Sequence, residues 1–164
     1  KNGDTDGTMA WNSGAGRSGG GMRFVGAGAS DNTDKCTREG SELQKTISTS
    51  SYSNIKVDYD IRVNTLGGNY TGVGVGGNCA VDHSLIDDQI TVYYSTNGGT
   101  NWTEVDNVQR AALLSTYQSY GTRTLNLIGD TACNNNANFK LRFRWQVNGT
   151  NDQCDIDNIK VTSN

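Results

Sequence analysis

Residues 55–65, Ile-Lys-Val-Asp-Tyr-Asp-Ile-Arg-Val-Asn-Thr, decide the fold class of this chain. Apolar and polar side chains alternate along the stretch, the period that places successive side chains on opposite faces of a β-strand. One face carries Val57, Tyr59, Ile61 and Val63, and the other carries Asp58, Asp60 and Arg62. The pattern predicts a strand that packs its apolar row on a core.

The same alternation recurs at residues 89–96 and 139–147, where it assigns Trp145 to the core. Hairpin signals separate the patterns, among them Asn97-Gly98-Gly99. Short strands at this spacing indicate an all-β sandwich or barrel. Weaker strands are predicted at 22–26, 42–48, 70–76, 102–106, 122–128 and 155–162, one short helix around Arg110–Tyr117, and further turns at Gly67-Gly68 and Asn148-Gly149.

The length and the glycine distribution set the expected domain organisation. A chain of 164 residues fits one domain, so we predict a single β-sandwich over 1–164. Residues 1–21 form a Gly-rich N-terminal arm in this prediction, with Thr8–Trp11 as a short edge strand. The Gly14–Gly21 stretch is predicted to be a mobile loop.

Charge and hydropathy exclude two classes of partner. The formal net charge is −3, whereas a nucleic-acid-binding surface needs a basic patch. We find no apolar stretch that approaches the roughly 18 residues of a membrane span. We therefore expect neither nucleic acid nor membrane insertion.

The four cysteines, Cys36, Cys79, Cys133 and Cys154, are widely spaced, and none forms a close zinc-type pair. Two disulfides in an oxidising, extracellular compartment are the prediction, and four reduced, buried thiols are the alternative. Four cysteines allow three pairings, of which sequence proximity favours Cys36–Cys79 with Cys133–Cys154.

Three segments together resemble the jelly-roll carbohydrate-binding modules and MAM-type domains of secreted proteins: SELQKTISTSSYSNIKVDYDIRV (41–63), DDQITVYYSTNGGTNWTEV (87–105) and FKLRFRWQVNGTNDQCDIDNIKV (139–161). The hairpin at 94–102 and the closing strand at 154–161 carry most of the likeness. The resemblance implies a two-sheet antiparallel jelly roll without an active site, often with a structural calcium ion.

For calcium, the resemblance implies a late aspartate ligand, and Asp157 matches that position. Asp4 and Asp6 at the other end of the chain supply further oxygen ligands of the kind calcium prefers. The alternative is that these carboxylates, like the group Asp82, Asp87 and Asp88, only cap turns.

Two sets of side chains are candidates for a glycan, which needs aromatic rings for its C–H faces and planar polar groups for its hydroxyls. For the polar row of the strands, the alternative is an exposed sheet face with cross-strand ion pairs. Trp102 is assigned to the base of its hairpin. The first set is the polar row of the strands, Tyr93, Arg142, Arg144, Gln146, Asp60 and Arg62; the second is the loop aromatics Trp11, Tyr117 and Tyr120.

Catalysis has little support, since His83 beside Asp82 has no nucleophile motif with it. We therefore expect an extracellular, non-catalytic module that binds a polysaccharide through a polar sheet face or loop aromatics. The alternative is an extracellular structural or adhesive subunit, which self-associates by adding its N-terminal arm to a neighbour's sheet.

Overall fold

The computed structural model describes residues 8–26, 39–67, 88–147 and 152–163. Most of these residues lie in strands, as period-two patterning predicts. The elements in chain order are β1 (Thr8–Gly16), β2 (Gly19–Val25), β3 (Glu39–Thr46), β4 (Ile55–Thr65), β5 (Gln89–Ser95), β6 (Thr103–Gln109), α1 (Arg110–Thr116), β7 (Gly121–Asn126), β8 (Lys140–Val147) and β9 (Gln153–Ser163).

The strands form two sheets whose neighbours are all antiparallel. The five-stranded sheet has the order β1-β2-β9-β4-β7 and the four-stranded sheet the order β3-β8-β5-β6. The predicted all-β, two-sheet jelly roll is confirmed. The short helix α1 connects β6 of one sheet to β7 of the other and buries Leu113.

The core lies between the inner faces of the two sheets. Tyr59 of β4 and Phe143 of β8 meet edge to face, with ring centroids 5.1 Å apart. Trp145 is fully buried, and its indole N–H donates to the backbone carbonyl of Asp152. The Tyr59 hydroxyl donates to Asp106 of β6 at 2.7 Å, which joins the two sheets by a hydrogen bond as well as by apolar contact.

The strand predictions agree with the structure where it describes the chain. Residues 55–65 form β4, and the patterns at 89–96 and 139–147 form β5 and β8 to within one residue at each end. In the turn between β5 and β6, Gly98 and Gly99 adopt φ of 73° and 95°, a conformation that favours glycine. The predicted strand at 70–76 and the turn at Asn148-Gly149 lie outside the described residues.

The prediction of a mobile loop at Gly14–Gly21 was wrong. These residues form the end of β1, a tight turn and the start of β2, and β1 is the edge strand that Thr8–Trp11 predicted. The glycines permit close packing: a Cβ on Gly20 would lie 2.1 Å from the Trp11 ring, and one on Gly21 2.1 Å from the Ala15 carbonyl oxygen. Glycine here allows close approach of the chains and does not mark mobility.

The predicted Cys133–Cys154 disulfide was also wrong, because both residues are buried free thiols. Cys154 pairs with Val63, whereas the turn containing Cys133 bonds through Leu127 to Ile55, at the opposite end of β4. The two ends are about 26 Å apart at about 3.3 Å per residue, far beyond the roughly 7 Å that a disulfide allows. Burial raises the pKa of the Cys133 thiol to about 12 and also raises the pKa of Cys154.

Cys36 and Cys79 lie outside the described residues, so their pairing stays a prediction. In the part of the chain that the structure covers, no helix is long and apolar enough to cross a membrane.

Candidate functional site

The face of the four-stranded sheet turned away from the core is densely polar, and we call it the polar face. Cross-strand pairing arranges its side chains in rows: Gln44, Arg142 and Tyr93 lie side by side, and the next row is Glu42, Arg144 and Thr91. Its members are Glu42, Gln44, Gln89, Thr91, Tyr93, Glu104, Asn107, Lys140, Arg142, Arg144 and Gln146, with Trp102 at its edge.

The Arg142 guanidinium packs against two aromatic rings of this face. Its central carbon lies 4.2 Å from the centroid of the Tyr93 ring and 4.4 Å from that of the Trp102 ring. Tyr93 is the cross-strand neighbour of Arg142, and Trp102 reaches the pair because the turn after β5 brings it back beside the sheet. Both distances are well within the range of a cation–π contact, so the two rings hold the guanidinium in place.

Three amide side chains form a hydrogen-bonded row across three strands of the polar face. Asn107 of β6 donates to Gln89 of β5 at 3.3 Å, and Gln89 donates to Gln146 of β8 at 3.0 Å. Gln89 and Gln146 are each 7% exposed, so the row is largely fixed by its surroundings. Such planar amides are suited to the paired donor and acceptor roles that sugar hydroxyls need.

Arg144 differs from its neighbour Arg142 in having a carboxylate partner. Its Nε lies 3.5 Å from Glu42 Oε1, and Gln44 donates to the other oxygen of Glu42 at 3.2 Å. Among the arginines within the described ranges, Arg142 is the one without a carboxylate at ion-pair distance. The polar face therefore presents one neutralised and one unneutralised guanidinium.

Buried polar atoms without partners concentrate on this face. Of seven such side-chain atoms in the described residues, three belong to it: Thr91 Oγ1, Asn107 Oδ1 and Arg142 Nε. A buried polar group without a hydrogen bond costs about 1–3 kcal/mol, so these atoms would gain from a partner that the described part of the protein does not supply.

Asp60 and Arg62, which the sequence groups with these residues, lie on the outer face of the other sheet. Asp60 is 4% exposed and accepts hydrogen bonds from Thr122 and Asn158. Burial alone would raise the pKa of Asp60, but these two hydrogen bonds and nearby Arg17 outweigh it and lower the pKa below its usual range. Asp60 is thus already engaged within the protein.

Arg62 belongs to a second internal cluster on that outer face. Asp155 is fully buried and accepts two hydrogen bonds from Arg23, at 2.7 and 2.8 Å, and one from Arg62, at 2.6 Å. The Arg62 guanidinium also lies 4.6 Å from the centroid of the Tyr120 ring, and the Tyr120 hydroxyl donates to the Ala15 carbonyl. Burial raises the pKa of Tyr120. These side chains hold the N-terminal hairpin against the sheet.

One of the predicted loop aromatics is corrected by its surroundings. Tyr117 is only 7% exposed and accepts a hydrogen bond from Arg123, so its ring is part of the core and no platform for a ligand. Tyr120 is partly exposed and lies against Arg62, as described above, so its part in ligand binding stays a prediction. Trp11 is 68% exposed on edge strand β1, which belongs to the sheet that does not form the polar face.

The structure describes only one of the three residues that are predicted to bind calcium. The described ligand candidate, Asp157, accepts a hydrogen bond from the backbone N–H of Arg17 at 2.9 Å, and the Arg17 side chain approaches Asp60 to 3.5 Å. No group of three or more metal-ligating side chains occurs in residues 8–26, 39–67, 88–147 and 152–163. Asp4 and Asp6 lie outside these ranges, so calcium stays a prediction that depends on them.

The members of the polar face that the sequence analysis did not single out for binding are Glu42, Gln44, Gln89, Thr91, Glu104, Asn107, Lys140 and Trp102. Thr91 and Gln89 alternate in phase with Tyr93, so period two was enough to place them on its side of β5. Alternation could not predict that Asn107 lies on the same side as Thr91, because a register shift between Val92 and Tyr93 disturbs the pairing of β5 with β6. Trp102 contacts its hairpin as predicted, since Gly99 lies under its ring, but it also reaches Arg142.

Solved structures with the same fold include several carbohydrate-binding modules. A family 28 module described as specific for non-crystalline cellulose matches with a TM-score of 0.58 at 9% identity, over 95% of this chain and 82% of that one. A family 61 module in complex with β-1,4-galactotriose matches with a TM-score of 0.52 at 9% identity, over 98% and 90% of the two chains.

A third match is part of an enzyme. The CBM22-1-GH10 modules of endo-1,4-β-D-xylanase 10B from Clostridium thermocellum, complexed with xylohexaose, match with a TM-score of 0.55 at 11% identity, over 98% of this chain and 25% of that one. No protein-family model matches the chain, and no curated protein matches it by sequence. At these identities the likeness shows the fold, which is the jelly-roll β-sandwich of carbohydrate-binding modules.

Proposed function

We propose that this protein is a non-catalytic, extracellular carbohydrate-binding module that holds a polysaccharide on its polar face. The observation that carries the proposal is the combination of two aromatic rings, two guanidiniums and a row of amides on one surface of a carbohydrate-binding-module fold. No other described surface combines these groups with unpartnered polar atoms in this way.

The chemistry of these groups suits a sugar. Aromatic rings offer apolar surface to sugar C–H faces, while planar amides and guanidiniums meet the hydroxyls. Thr91 Oγ1 and Asn107 Oδ1 are buried beneath this face and have no hydrogen-bond partner in the described part of the protein, which is unusual for buried polar atoms. Because much of the binding energy goes into desolvating polar groups, we expect affinities on the order of micromolar to millimolar.

An ordinary solvated sheet face is the competing explanation. In such a face the charges pair across strands, and each exposed pair contributes at most about 1 kcal/mol. Arg144 and Glu42 fit that description, but Arg142 does not, because its neighbours are rings and no described carboxylate reaches it. The unpaired guanidinium favours a binding surface.

The alternative of self-assembly by strand donation is not supported. Residues 8–25 add to the chain's own sheet, since β1 pairs with β2 and β2 with β9. The Arg17 backbone further ties the hairpin turn to Asp157. A segment bonded in this way must first be released before it could join a neighbour's sheet.

A polysaccharide microarray tests the proposal directly. We expect the unaltered protein to bind at least one polymer, and the double variant Arg142→Ala/Arg144→Ala to bind it at least tenfold more weakly, because charge-assisted hydrogen bonds to the ligand are lost. The control is Lys56→Ala/Lys160→Ala, which removes two cations from the outer face of the five-stranded sheet. We expect this control to bind as the unaltered protein does.

Equal binding by the arginine variant and the lysine control, with both folded by circular dichroism, would place the binding surface elsewhere. Failure of the unaltered protein to bind any polymer on a broad array would reject the proposed function itself.

A further inference from the structure

Some charged side chains of the polar face have an ion-pair partner and others do not, and this difference bears on the class of glycan that the face would bind. The face carries two carboxylates, Glu42 and Glu104, and three cations, Arg142, Arg144 and Lys140. Glu42 is engaged by Arg144, and Glu104 lies opposite Tyr93 at the β6 edge without a described cation at ion-pair distance. Neither carboxylate lies at ion-pair distance from Arg142 or from Lys140 in the described residues. Of these two cations, Arg142 is the one that the two rings hold in place, so its guanidinium is the oriented positive group that a ligand can neutralise.

Resting on the proposed function, we propose that the bound glycan is acidic and that its carboxylate or sulfate group binds the Arg142 guanidinium. The planar guanidinium forms paired hydrogen bonds with such anions, and these bonds are about twice as strong as neutral ones. Uronic acids and sulfated sugars share this anionic oxygen chemistry.

The two rings prepare Arg142 for this role. Contacts at 4.2 Å to Tyr93 and 4.4 Å to Trp102 fix the plane of the guanidinium before the ligand arrives. A long arginine side chain otherwise loses much rotamer freedom on binding, so fixing it in advance improves affinity. The carboxylate or sulfate group of the ligand then binds a guanidinium that is already oriented.

The geometry also separates Arg142 from Arg144. The Glu42 carboxylate, 3.5 Å from Arg144 Nε, offsets the charge of that side chain. Replacing Glu42 by Gln leaves the shape similar and frees the Arg144 guanidinium. The variant should therefore bind acidic polymers more tightly than the unaltered protein does, which no purely structural role of Arg142 predicts.

Biolayer interferometry with matched polymer pairs tests the inference: polygalacturonate against its carboxyl-reduced form, and dextran sulfate against dextran. The pairs distinguish a carboxylate from a sulfate. We expect the acidic member of one pair to bind at least tenfold more tightly, Arg142→Gln to abolish that preference, and Glu42→Gln to strengthen acidic binding severalfold. Raising NaCl from 20 to 200 mM should weaken the acidic interaction selectively.

Lys45→Gln is the matched control, because Lys45 is exposed and pairs with Leu141, on the opposite side of β3 from Gln44. It removes one positive charge without touching the polar face. If Lys45→Gln and Arg142→Gln lose affinity for the acidic polymer equally, the inference is overturned in favour of non-specific charge attraction. Equal binding of acidic and neutral members, with both reduced in Arg142→Ala/Arg144→Ala, would overturn it while the proposed function stands, and no binding to any polymer would reject both.

Discussion

Replacing Asp155 by Ala should lower the free energy of unfolding by about 3 kcal/mol. Asp155 is fully buried and accepts three hydrogen bonds from Arg23 and Arg62, whose side chains are 19% and 24% exposed. Its loss leaves two largely buried guanidiniums without their counter-charge. In the unaltered protein the hydrogen bond to Asp155 raises the pKa of Arg23. An arginine stays protonated in proteins even without such a partner, so neither guanidinium can avoid the cost by losing its proton.

Chemical denaturation of Asp155→Ala and Asp58→Ala measures this effect. Asp58 lies on the same outer face, but its side chain is 26% exposed and pairs with Lys56 at 3.2 Å. Both side chains of this pair are partly exposed, unlike the fully buried Asp155, and such a pair contributes about 1 kcal/mol or less, so the control should lose far less stability. Equal losses in the two variants would show that the buried cluster does not hold the N-terminal hairpin and the sheet together.

Removing both rings that contact Arg142 should have the largest effect on glycan binding. We expect Tyr93→Ala/Trp102→Ala to weaken affinity about thirtyfold, which corresponds to about 2 kcal/mol, or about 1 kcal/mol for each aromatic contact. The rings orient the guanidinium, and in the proposed site they would also offer apolar surface to the sugar. Isothermal titration with the polymer found on the array measures the loss.

The matched control for the ring variant is Trp11→Ala/Tyr52→Ala, which removes one Trp and one Tyr that are 68% and 55% exposed elsewhere on the protein. We expect its affinity to stay within about twofold of the unaltered protein, because neither ring belongs to the polar face. A larger loss in this control than in the ring variant would favour the loop-aromatic interpretation that the sequence also allowed.

The sequence predicted which side of each strand is polar but not which sheet each strand joins. Alternation places Arg62 and Arg142 equally well opposite an apolar row. Strand order then separates them, because β4 lies in one sheet and β8 in the other. Alternation is a local property, whereas strand order follows from contacts between distant segments, and so the predicted binding set merged two different surfaces.

The remaining corrections have the same physical origin in packing between distant segments. The Gly14–Gly21 stretch has low strand propensity, yet it is a hairpin because Gly20 allows the Trp11 ring to lie against the backbone. Tyr117 follows a helix in a polar segment, yet Val63 donates to its backbone carbonyl and Arg123 to its hydroxyl. By contrast, the core positions of Tyr59 and Trp145 were predictable from period two alone.

The central claim, that a glycan binds on the polar face, is tested most directly by the indole N–H signals of the three tryptophans in a nuclear magnetic resonance titration with that glycan. Trp102 contacts Arg142 on the polar face, Trp11 is exposed on the other sheet, and Trp145 is buried in the core. The account predicts that the Trp102 signal shifts progressively with ligand while those of Trp11 and Trp145 stay in place. A shift of Trp11 with an unchanged Trp102 would contradict it.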